Sequence, residues 1–265
     1  MERDQVKQAC TVLYDELPPL DSAGLQEELR LTVEDAVVEW AAPSRSGLPV
    51  TAGIARFGRH RIAMIALDAP VKEEVLARTV AVSPMPEEMR TGMLEHEAAI
   101  RLLYVGDEPE PVEQMAALYR VAGALMQESG LGVLNERATL AQPPDLVEEY
   151  LSELDQGFIP LPLWVGAVTF AGEGTGSKSY LMRTYGMEQF RQPELAMYFG
   201  DQAGADEVYN TLLNIGLYLV ENSSRLQIEP GHTAEFKRRT YLFTLPETEA
   251  PELEGPTGLL VLVEV

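Results

Sequence analysis

The residues with the clearest capacity for chemistry lie in Gly172-Glu173-Gly174-Thr175-Gly176-Ser177-Lys178-Ser179, a run that nearly spells a phosphate-binding loop. In such a loop glycines let backbone N–H groups approach the phosphates, a lysine neutralises them, and a helix N-terminus adds its dipole. Here Ser177 stands where the pattern needs a glycine directly before the lysine, and Tyr180-Leu181-Met182-Arg183-Thr184-Tyr185 favours a strand over a helix. The stretch therefore reads first as a hairpin loop. An anion site formed by Ser177, Lys178 and Ser179, in an enzyme or a small-ligand-binding domain, is the alternative.

The other candidate groups are scattered. His60, His96 and His232 are the histidines, each in a different segment. His60 and His232 read as exposed turn residues. His96 stands between Glu95 and Glu97, where a metal site would need a further ligand from elsewhere, and a solvated helix face is the simpler expectation. No HExxH pattern, cysteine cluster or nucleophile with a paired base stands out, so no catalytic residue, metal ligand or cofactor is assigned. The single cysteine, Cys10, excludes an internal disulfide and falls in an alternating run, Lys7 to Tyr14, where it reads as a buried small hydrophobe.

Composition restricts the partners more than the chemistry. Asp plus Glu number 42 against 20 Lys plus Arg, a formal net charge of −22. That sign repels nucleic-acid phosphates and anionic membranes and leaves a basic or neutral protein as the expected macromolecular partner. Acidic runs occupy Glu87 to Glu113, Asp145 to Asp155 and Glu247 to Glu254, and the last two contain no Lys or Arg. The start MERDQVK lacks a secretory pattern and no apolar run reaches membrane-spanning length, which together predict a cytoplasmic protein.

The elements that must position these residues follow from periodicity. Leu161 to Phe170, Tyr180 to Met187 and Leu195 to Phe199 read as a central meander. Before it, Val6 to Tyr14, Val37 to Trp40, Val50 to Phe57, Arg61 to Leu67, Ile100 to Val105 and Val133 to Leu140 read as strands. Helical spacing covers Leu25 to Arg30, Lys72 to Val82, Glu87 to His96, Val112 to Met126, Pro143 to Leu154 and 206–221. Leu226 to Phe236, Thr240 to Leu245 and Leu259 to Val263 complete the strands, and Pro246 to Gly258 reads as the most mobile loop. Trp164 and Met187 are expected in the core, and the final strand in the chain's own sheet.

Leu161-Pro162-Leu163-Trp164-Val165-Gly166, then Thr184-Tyr185-Gly186-Met187-Glu188-Gln189-Phe190 and Pro193-Glu194-Leu195, carry a resemblance. So do Leu17-Pro18-Pro19-Leu20 and Pro143-Pro144. The chain resembles an uncharacterised bacterial domain-of-unknown-function family with a Leu-Trp-Val-Gly strand and a Thr-x-Gly-Met-x-x-Phe-x-x-Pro-Glu segment. The resemblance implies an intracellular α+β protein and brings no activity or catalytic residue with it.

The expected fold is α+β: two related halves, 1–98 and 99–265, each a mainly antiparallel sheet with helices on one face, unfolding as one cooperative unit. The expected function is a non-enzymatic interaction protein, immunity-like or accessory, with the 172–179 anion site as the alternative.

Overall fold

The computed structural model describes residues 8–42, 50–127, 129–171, 178–223, 225–247 and 251–265. It divides into two compact units, Met1–Leu163 and Trp164–Val265. The division does not fall near Ala98 to Ile100, because the strand there lies in the middle of the first unit's sheet and is hydrogen-bonded on both sides.

The first unit has a seven-stranded antiparallel sheet. Its strands are β1 (Ala9–Tyr14), β2 (Val37–Trp40), β3 (Val50–Phe57), β4 (His60–Leu67), β5 (Ala98–Tyr104), β6 (Gly130–Asn135) and β7 (Leu140–Gln142), in the order β2-β3-β4-β5-β1-β6-β7. The predicted strand Val133 to Leu140 is in fact β6 and β7, paired back on each other across a turn in which Thr139 takes a φ of 49°.

Helices α1 (Ser22–Arg30), α2 (Glu73–Val82), α3 (Glu87–Leu94), α4 (Pro111–Met126) and α5 (Pro144–Asp155) surround the sheet. Three of them begin on local chemistry: the Asp21 carboxylate accepts from the Ala23 and Gly24 N–H groups, and Pro111 and Pro144 open α4 and α5 where an unpaired N–H costs nothing. Helix α4 has eleven buried residues and packs on β1, β4, β5 and β6, with α1 and α5 alongside. The Tyr14 hydroxyl donates to the α4 carbonyl of Leu125 at 2.9 Å. Leu13, on the opposite face of β1, packs with Leu76, Val80 and Met93 of α2 and α3. Successive strand residues face opposite ways, so the helices of this unit cover both faces of the sheet.

The second unit has a six-stranded sheet of β8 (Gly166–Ala171), β9 (Tyr180–Tyr185), β10 (Glu194–Phe199), β11 (Thr233–Phe236), β12 (Arg239–Thr244) and β13 (Leu259–Glu264), in the order β11-β12-β13-β10-β9-β8. Only β10 and β13 run parallel among its pairs; the rest are antiparallel. The last strand therefore lies inside the chain's own sheet. Helix α7 (Ala205–Glu221) packs on β9, β10 and β11, and Leu181, Ala196, Leu253, Leu259 and Val261 form a separate cluster. Leu161–Trp164 is a short helix, α6, rather than the start of a strand, and β8 begins only at Gly166. Periodicity cannot separate the two for a short run apolar on both faces, and Leu163 N–H closes a turn on the Pro160 carbonyl. The predicted Leu226 to Phe236 strand shortens to Thr233–Phe236, after a turn in which Gly231 has φ 95°.

Candidate functional site

Of the three residues of the predicted anion site, Ser177 lies outside the described residues and Lys178 and Ser179 lead into β9. Lys178 Nζ is 2.8 Å from a Glu247 carboxylate oxygen and 5.4 Å from the centre of the Tyr198 ring. The carboxylate raises the lysine's pKa and is itself lowered. The charge that would meet an anion is thus matched from within the chain, although an ion pair this exposed contributes little to stability.

Two of the histidine expectations change. His96 is 4% exposed, because it stands just beyond α3 in the connection to β5. Its Nδ1 is 2.9 Å from the Met93 carbonyl and its Nε2 accepts from the Val71 N–H at 2.8 Å, so the ring is neutral with the proton on Nδ1. Burial pulls its pKa down, against the Met93 hydrogen bond. His60 is half-buried, with Nδ1 3.1 Å from the Tyr104 hydroxyl and its ring 5.2 Å from that of Phe57. His232 is exposed, as expected. Cys10 is buried and desolvation pushes its thiol far up, away from the reactive thiolate. Among the described residues no group of three or more His, Cys, Asp and Glu side chains could hold a metal ion. No helix among them is long and apolar enough to cross a membrane.

The motif Thr184 to Glu194 builds a buried polar network. Glu194, 2% exposed, accepts from the Thr184 hydroxyl at 2.7 Å, the Gly186 N–H at 2.9 Å and the Glu188 N–H at 3.5 Å. Desolvation raises its pKa, opposed by these donors and by Arg183. Gly186 has φ 106°, a conformation that costs a side-chain-bearing residue dearly, and it aims its N–H at that carboxylate. Gln189 Nε2 donates to the Trp164 carbonyl at 3.0 Å and to the Gly186 carbonyl at 3.2 Å, joining the two parts of the motif. Trp164 and Met187 are fully buried, the indole 5.7 Å from the Phe190 ring. Arg183 is 3% exposed and donates from one terminal nitrogen to the carbonyls of Glu252 and Glu254 at 2.8 and 2.6 Å, its guanidinium 4.1 Å from the Tyr185 ring centre. It thereby fixes part of the segment read as the most mobile loop; residues 248–250 of that loop lie outside the described residues.

The first unit carries an open cleft. It lies among α1, α4 and α5, has a volume of about 520 Å³, and its apolar lining includes Ala124, Met126 and Leu151. Helix α4 comes close to α5 because Gly123 stands at the contact: a Cβ there would meet Leu151 Cδ1 at 2.5 Å. Glu28, Glu148 and Asp155 supply carboxylates to the lining, and Arg120 supplies its only cation. Arg120 is engaged by Asp155 at 3.0 Å. Neither Arg120 nor Glu28 carried any signal in the sequence beyond its charge; Glu148 and Asp155 belong to the Asp145 to Asp155 run.

Residues 183–262 match the model of a family described as a domain of unknown function, DUF4261. The match begins at the buried Arg183 and ends within β13, so it takes in the Glu194 network. It supports the resemblance to an uncharacterised domain-of-unknown-function family for that part of the chain. No curated protein and no solved structure matches the chain.

Proposed function

We propose that the chain is a non-enzymatic interaction protein of the bacterial cytoplasm, immunity-like or accessory, that binds a basic or neutral protein partner. The observation that carries this reading is the −22 charge and its concentration on exposed surfaces. Helix α5 exposes Asp145, Glu148, Glu149 and Asp155 and contains no Lys or Arg. A surface of one sign speeds encounter with a partner of the other, and the gain falls as salt screens the field.

The test is affinity capture from the native host at low and high salt, followed by titration of each recovered protein in purified form. A basic or neutral protein that binds directly is the expected result, and a basic one should bind more weakly as salt rises. Recovery of no protein that binds directly at either salt would overturn the reading.

A further inference from the structure

We infer that the cleft among α1, α4 and α5 is the place where a basic partner inserts an arginine or lysine side chain. This rests on the reading of the partner given above and names the site and chemical group of that contact. The cleft's volume of about 520 Å³ is within the range that takes a small ligand or an anchoring side chain.

Its chemistry is divided as a long cationic side chain is divided. Ala124, Met126 and Leu151 give the lining apolar surface for the aliphatic stem, and Glu28 on α1 and Glu148 on α5 add carboxylates from two helices for the charged end. Among the described residues neither Glu28 nor Glu148 has an ion-pair partner, whereas Asp155 is already held by Arg120. The arginine of the lining does not make this an anion site: its side chain is only 22% exposed, and one of its two terminal nitrogens, Nη2, is 3.0 Å from the Asp155 carboxylate, which offsets its charge. The lining thus carries three carboxylates against one matched cation, and complementarity selects a guanidinium or ammonium group.

The experiment uses the full chain and a fluorescein-labelled peptide with an Arg-Leu-Arg core in a Gly/Ser frame, followed by fluorescence anisotropy at low salt. A peptide with citrulline in place of arginine keeps the shape without the charge. Glu28→Gln/Glu148→Gln is compared with Glu73→Gln/Glu74→Gln, which removes the same charge from exposed positions in the first turn of α2, outside the cleft lining. The cleft pair should weaken binding about tenfold, the α2 pair less than about twofold, and the citrulline peptide should not bind. Ala124→Arg, which supplies the cleft with the chain's own cation, should block the peptide, and the Met126 methyl resonance should shift when peptide is added to the unaltered chain.

Equal losses for the two pairs, with no Met126 shift, would overturn the cleft as the site while leaving a general preference for basic partners. Failure of the unaltered chain to bind the arginine peptide at low salt would overturn the basic-partner reading and the cleft with it.

Discussion

Replacing Thr184 by Val tests whether the Thr184 to Glu194 segment is held by its buried carboxylate. The substitution keeps the β-branched shape and removes one oxygen. That oxygen donates to Glu194 at 2.7 Å and accepts the Leu195 N–H at 2.8 Å, both in the buried interior. A hydrogen bond to a charged group contributes roughly 1.5–3 kcal/mol, and a buried N–H left unpaired costs roughly 1–3 kcal/mol. The added methyl returns about 0.8 kcal/mol of apolar burial. The net destabilisation should be about 2–5 kcal/mol. Thr184→Ser keeps the oxygen, loses a methyl and should cost only about 1 kcal/mol.

The assay is urea unfolding followed by Trp164 fluorescence in a Trp40→Phe background, which leaves one reporter, buried in the same unit as Thr184. The m-value should stay constant while the midpoint falls. A valine variant no less stable than the serine variant would refute the reasoning: the Glu194 carboxylate would then not depend on the threonine, and the motif would be held by apolar packing around Phe190 and Met187.

The other predictions concern single buried groups. His96 has a folded-state pKa below its ordinary 6.5, so its share of stability is complete above that pH and is lost as pH falls below it, when the unfolded chain takes up the proton first; His96→Gln should flatten this part of a urea-midpoint profile. Glu194 acts with the opposite sign, its raised pKa giving a share that is full below 4.5 and lost as pH rises, and it is common to both chains in that comparison. Cys10 should not react with a thiol reagent in the native chain and should titrate fully in denaturant; rapid native labelling would contradict its burial. Trp164→Ala should cost about 3–5 kcal/mol in urea unfolding, and a loss under about 1 kcal/mol would place the ring outside the core.

Elements with a long apolar stripe or a clear alternation were legible in the sequence. Helices α4 and α7 and strands β3 and β4 have strong periods, so their positions follow from which side chains must leave water. What was not legible depends on contacts distant in sequence. His96 looks exposed between two glutamates, yet its burial is decided by the Val71 N–H, 25 residues away. Arg183 falls in the predicted strand Tyr180 to Met187 with nothing local to mark it, yet carbonyls at Glu252 and Glu254 make it a buried clasp. The division of the chain was misplaced because β5 has no local property that shows it pairing with both β1 and β4. The cleft was invisible for the same reason: Glu28, Arg120 and Glu148 lie on three helices, and only packing brings them to one cavity.

The residues that carry the family resemblance and those that carry the proposed contact do different physical work. Thr184, Glu194, Gln189 and Trp164 are buried, and a buried group cannot meet a partner without unfolding what surrounds it. The Glu194 carboxylate holds the positive-φ turn at Gly186, and the neighbouring Arg183, also buried, holds the segment around Glu252. Recognition needs groups that water reaches and that remain unneutralised until the partner arrives. Glu28 and Glu148 meet that condition, and they lie outside residues 183–262. The buried polar groups of that segment hold its shape, and the contact proposed above lies instead in the charge and contour of an exposed surface outside it.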